Sequence, residues 1–234
     1  MKIWGPPPQG GLLLGGVRMR RTLHISVFLL SSLVALGGCK IVKNPDPGAA
    51  GQAQEAQTDE ARMAALAREI WEPQVLPTVA ALLAPLDDVR AALAQDVDAA
   101  GAKYGYKPVG EASAWNFGVT GTGVIVETKM KSRAAKLQVD TVGDGKADVT
   151  IQLGPIIRGT ALRDAMSFLS FSDFRDQIEF AKLAGGLNAM AHENLTIPTE
   201  DPIGKTVTFS GIYTFKDVET RPEIVPTDLS FGAP

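Results

Sequence analysis

The sequence predicts an α+β fold: an N-terminal helical segment, then a five-stranded OB-like barrel with a helical insert between strands 3 and 4. Three observations carry this. Apolar residues recur at helical spacing over residues 59–103. Five runs of alternating or β-branched residues follow. The third and fourth of those runs are separated by a stretch whose spacing is helical again. Three strands, a helical connection and two strands is the element order of a partly open Greek-key barrel. A five-stranded α+β sandwich is the competing arrangement.

The helical segment begins at Thr58 or Asp59, either of which suits an N-cap. Met63, Leu66, Ile70 and Trp71 then share a face. Pro73 and Pro77 interrupt this pattern or occupy a first turn. A second apolar stretch covers residues 75–83. A third starts near Pro85 with Leu86, Val89, Leu93 and Val97, and Gly101 or Gly105 is its expected stop. This stripe is read as packing on the barrel, with a partner-binding face as the alternative.

The first strand is expected over residues 115–128, where Gly118, Gly121 and Gly123 allow a bend or bulge. Residues 136–142 and 146–153 alternate, and Gly143-Asp144-Gly145 between them is a hairpin signal. A short helix is expected over 160–169. A longer one carries Phe171, Phe174, Ile178 and Ala181, ending at Gly185-Gly186 or continuing beyond. Residues 207–215 and 224–231 give the last two strands.

The N-terminus carries an export signal. Arg20 and Arg21 precede an apolar run over 25–36, which ends in Gly37, Gly38 and Cys39. A charged region, an apolar region and small residues before a cleavage point define a secretory signal peptide. The run falls short of the roughly 20 residues a spanning helix needs. Residues 1–38 are therefore excluded from the fold. Met19 fits as the start of a compact signal, with 1–18 as an upstream extension; a long basic region is the alternative. Residues 39–57, rich in Pro, Gly, Gln and Ala, read as a flexible tether. The domain organisation is then 58–105 as the helical segment and 106–234 as the barrel.

Composition narrows the function classes. Lys2, Arg18, Arg20 and Arg21 lie upstream of Cys39, so 19 of the 23 basic residues remain against 26 acids, a net charge of −7. Nucleic-acid binding usually leaves a basic footprint, so no nucleic-acid partner is expected. Cys39 is the one cysteine, which excludes an intramolecular disulfide. Acylation would remove a thiol that is a liability in an oxidising compartment.

Leu36-Gly37-Gly38-Cys39 resembles the lipobox of bacterial lipoproteins, which implies a diacylglyceryl group on the Cys39 sulfur. A wider resemblance rests on Gly38 to Lys43 (GCKIVK), on Trp115-Asn116-Phe117, on the block VDTVGDGKADVTIQLGPIIRGTALRDA (139–165), and on the Phe174/Gln177/Phe180 segment. Together these resemble a family of predicted periplasmic lipoproteins of unknown function, typically encoded beside sugar-type ABC uptake systems. The resemblance spans nearly all of the mature chain, and the long central block is its specific part. It implies a membrane-anchored, non-catalytic accessory or binding module for solute import. The implied partner is a transporter subunit or solute-binding protein. A small periplasmic enzyme acting on the imported solute is the alternative. Lys40 stands where enterobacterial-type sorting uses aspartate for inner-membrane retention, which favours the outer membrane.

The candidate contact residues are Arg158, Thr160, Arg163, Asp164, Trp115 and Asn116. Arg158 lies between a strand end and a helix start. Gly159 and Thr160 offer amides and a cap there, and Arg163 adds donors for a carboxylate or phosphate. The structural alternative pairs Arg158 with Asp164 or with carbonyls. Trp115 and Asn116 suit stacking on a sugar ring, against burial in the core. Asp140, Asp144, Gly145 and Asp148 evoke a calcium loop, but Val142 and Ile151 occupy two of its ligand positions, so a plain turn is expected. His192, the one histidine after Cys39, lacks recognisable partners for a metal. No nucleophile elbow, phosphate loop or zinc spacing is present, and no catalytic residue or cofactor is assigned.

Overall fold

The computed structural model describes residues 58–110 and 113–232. The signal peptide, Cys39 and the tether lie outside the described residues.

Thr58 caps the first helix by accepting from the Ala61 amide at 3.2 Å. Helix α1 (Asp59–Ile70) buries Met63, Ala67 and Ile70. At Pro73, which has no N–H to donate, the chain widens into a π-turn over Trp71–Val75. Helix α2 (Leu76–Leu82) follows with Pro77 in its first turn. The sequence does not announce the next element: strand β1 (Leu83–Pro85) lies parallel to the barrel strand β3 (Asn116–Thr128). Gly118 makes this possible, since a Cβ there would sit 2.8 Å from Leu82. Helices α3 (Leu86–Leu93) and α4 (Val97–Tyr104) complete the segment, and Gly105–Tyr106 forms a short strand, β2, against β3.

The barrel is a five-strand closure. β3 is long enough to serve two partners. Its residues 116–124 pair with β6 (Thr206–Thr214), and from Val124 onward it pairs with β4 (Ala134–Asp140). Its glycines permit the crossing: a Cβ on Gly123 would meet the Asp140 carbonyl oxygen at 2.4 Å, and one on Gly121 the Phe209 ring at 2.7 Å. β4 pairs antiparallel with β5 (Val149–Pro155), β5 parallel with β7 (Glu223–Phe231), and β7 antiparallel with β6. The order β3-β4-β5-β7-β6-β3 is that of an OB-fold.

Two apolar clusters hold this together. Phe117, Ile125, Leu137, Ile151, Leu153 and Phe209 fill the barrel, closed by Leu86, Val89 and Leu93 of α3. Ile212 and Val225 point outward instead, beneath Trp71, Leu162, Met166, Leu183 and Leu187. The helical segment therefore packs within the same compact unit as the barrel.

The insert departs from the expected pattern. The first helix is a single turn, α5 (Ala161–Asp164). Ser170 and Asp173 cap each other's amides around a 3₁₀ turn at Phe171–Asp173, and Asp176 caps the next helix, so two stop-and-start signals break up the expected run. α6 (Gln177–Glu193) continues through Gly185-Gly186, the second of the two endings the sequence allows. Gly186 is used for contact: a Cβ there would stand 3.0 Å from both the Ala67 Cβ and the Met63 carbonyl oxygen of α1.

Candidate functional site

One end of the barrel opens into a cleft of about 770 Å³. It lies between the β4–β5 turn, the end of α3, the β5–α5 turn and the β6–β7 loop, with Tyr213 and Phe215 among its lining.

The β5–α5 turn is built by side-chain amides. Gln152, itself buried, donates to the Arg158 carbonyl at 3.1 Å and accepts from the Arg158 amide at 2.9 Å. From the other side the Asn188 amide group donates to the carbonyls of Ile157 at 3.2 Å and Gly159 at 3.0 Å. Gly159 has φ +89°, which favours glycine at this bend. The Arg158 main chain is thus clamped from two directions, and its side chain is exposed at the cleft. Four cations line the cleft, Arg90, Arg158, Lys216 and Arg221, and among the described residues neither Arg158 nor Lys216 has an ion pair.

The opposite wall is set by Arg90. Its guanidinium reaches the Asp148 carboxylate and donates to Thr141 Oγ1 at 2.7 Å. Burial disfavours a charged Asp148, but hydrogen bonds from Thr141 and Arg90 outweigh it and hold the carboxyl below its usual range. Asp217 is likewise held low by Thr220, which donates both its hydroxyl and its amide, and this contact shapes the β6–β7 loop. Lys136, 2.7 Å from Glu223, keeps that carboxylate low, and Arg158 adds a smaller attraction. Burial pushes the Tyr213 phenol far above its ordinary value, so it stays protonated.

The six sequence candidates separate. Arg158 and Thr160 line the cleft. Arg163 does not. It pairs with Asp164 at 2.6 Å, lies 3.9 Å over the Phe180 ring and donates to the Phe180 carbonyl. Asp164 also accepts from the Thr160 hydroxyl at 2.5 Å, so its partner is Arg163 rather than Arg158. Trp115 packs over Gly101 of α4 and donates to Asp98 at 3.3 Å. Asn116 is 1% exposed and accepts from the Thr214 hydroxyl at 2.6 Å. The Asp140 carboxylate accepts from the amides of Val142, Gly143 and Gly145, which occupies it as a turn anchor. Among the described residues no cluster of three or more His, Cys, Asp or Glu is arranged for a metal. His192 Nδ1 bonds the Leu153 carbonyl at 2.7 Å.

Sequence reasoning missed Arg90, Gln152, Asn188 and Lys216. Gln152 and Asn188 do carry a signal: each is an amide with apolar residues on both sides, Ile151 and Leu153 in the strand, Leu187 and Ala189 in the helix. Arg90 and Lys216 carry none, because exposed-looking cations are common.

The family model described as "Predicted periplasmic lipoprotein (DUF2291)" matches residues 29–230. Among solved structures, the chain is similar to an OB-fold protein from Thermotoga maritima, with 22% identity and a TM-score of 0.57. That match covers 73% of this chain and 98% of the other. A comparison with curated proteins returns no match.

Proposed function

This chain belongs to the DUF2291 family of predicted periplasmic lipoproteins, and from that premise we propose a non-catalytic binding module, tethered by lipid on Cys39, that receives a small polar solute for an ABC uptake system. The solute class that fits best is a sugar. One observation carries this reading: the Arg158 backbone is fixed by Gln152 and Asn188 while its charged end stays uncommitted over a cleft with aromatic lining. An aromatic surface beside several fixed donors and acceptors is what a polyhydroxylated ring requires. Asp148, Asp217 and Glu223 are all held ionised, a state that accepts hydroxyl hydrogen bonds.

The uptake partner is a transporter subunit or solute-binding protein. Lys40 after the lipidated cysteine supports the outer membrane as its address. The test is a calorimetric screen of the purified lipoprotein against neutral sugars and sugar acids, with Arg158→Ala and Lys216→Ala beside it. Co-purification of the uptake system from detergent-solubilised membranes tests the partner. Saturable binding lost in Arg158→Ala supports the module. Turnover of a bound solute would replace it with the enzyme alternative. Absence of binding across the screen would refute the sugar reading.

A further inference from the structure

We infer that the cleft takes an anionic solute, one carrying a carboxylate or a phosphate, and that Arg158 and Lys216 hold the anionic group between them. This rests on the binding-module reading and narrows its solute class. The charged residues lining the cleft divide into committed and uncommitted ones. Arg90 is committed to Asp148 and Thr141 Oγ1. Arg221 donates to Gln138 Oε1 at 2.7 Å. Glu223 is held by Lys136 at 2.7 Å. Asp217 is turned onto its own loop, where it accepts from the Glu219 amide at 3.0 Å and from the Thr220 amide at 2.7 Å and hydroxyl at 2.8 Å. Among the described residues this leaves two cations, Arg158 and Lys216, against one acid, Glu219.

The two cations converge from separate elements. Arg158 comes from the β5–α5 turn and Lys216 from just past the end of β6, yet both line one cleft and both attract the same Glu223 carboxylate from a distance. Arg158 presents its planar fork of donors from a main chain clamped by Gln152 and Asn188. Lys216 follows Phe215, whose ring packs edge-on against the buried Phe117 at 6.2 Å. A guanidinium fork beside a compact ammonium charge suits the oxygens of a carboxylate or phosphate. Two cations sharing one neighbourhood also repel each other, a cost that an anion between them removes and a neutral ring leaves standing.

Inorganic phosphate alone tests the anion site without any sugar. It is titrated into the purified lipoprotein while isotope-labelled arginine side chains are followed by NMR. The expected result is a saturable shift of the Arg158 Nε–H signal, with several-fold weaker binding in Lys216→Ala. Both side chains are exposed, so the variants keep the fold. No saturable shift at Arg158, or an affinity that Lys216→Ala leaves unchanged, overturns the inference whatever the sugars do. Calorimetry then compares several hexoses, each with its uronic acid and its phosphate ester. The acid or the ester should bind roughly tenfold more tightly than the parent sugar, as hydrogen bonds to charged groups do. The difference should shrink in Lys216→Ala and at high salt. Equal binding of the three forms, or preference for the neutral sugar, overturns the anionic class and leaves the sugar-binding module standing. Phosphate held at Arg158 and Lys216 with no sugar form bound more tightly than phosphate itself supports the anion site and overturns the sugar reading.

Discussion

Adjacent glycines in α6 should respond to the same substitution with opposite signs. Alanine is favoured over glycine inside a helix by about 0.5–1 kcal/mol. At Gly185 a new methyl meets nothing within 4 Å, so Gly185→Ala should stabilise by about that amount. At Gly186 the methyl lands 3.0 Å from Ala67 Cβ and from the Met63 carbonyl oxygen. Ala67 and Met63 are buried, and α1 is tied to α6 by Arg62–Glu179 and Lys182–Glu60. The helices cannot easily part, and overpacking of this kind costs about 1–3 kcal/mol. Gly186→Ala should therefore be neutral to destabilising by about 2 kcal/mol. For a domain of this size 1 kcal/mol shifts Tm by roughly 2–4 °C, so a thermal melt separates the two variants. Equal stabilisation by both would refute the close α1–α6 approach.

Arg158→Ala should abolish solute binding while changing stability by no more than about 0.5 kcal/mol, because its side chain is exposed and unpaired; calorimetry and a denaturant titration check the two halves. Gly159→Ala, with φ +89° and open space around it, should cost about 1–3 kcal/mol of backbone strain and weaken binding through the misplaced Arg158. The Asp148 carboxyl sits lower in the folded chain than in the unfolded one, so its contribution is full above about pH 4 and is lost as pH falls through the folded value. Asp148→Asn should lower stability at neutral pH and flatten the acid limb of the stability–pH profile. Cys39→Ser should move the protein from the membrane to the soluble periplasmic fraction, as read by fractionation.

Strand order was legible because the barrel strands alternate and their turns carry glycine. The N-terminal segment was legible as helix packed on the barrel, but not as the source of a strand paired with it. Strand β1 is three residues long and owes its place to the missing side chain of Gly118, a tertiary fact with no local signature. Gly185-Gly186 reads as a stop in isolation, since glycine is a poor helix former, yet contact with α1 makes it an approach point. At the site, Arg158 was found through its position at a strand end. Arg163 has the same charge five residues later but turns away to Asp164 and Phe180, and only side-chain packing decides that difference. Arg90 reaches the cleft from a helix far upstream, a convergence that spacing does not encode.

Helix α6 is a stiff rod of 17 residues, about 25 Å from end to end. Its first turn carries Phe180 against the Phe171 ring, and its later turns carry Asn188 and His192, which grip the carbonyls of Ile157, Gly159 and Leu153. A rod held this way acts as a lever. A tilt at the aromatic end displaces Asn188, and with it the backbone that aims Arg158.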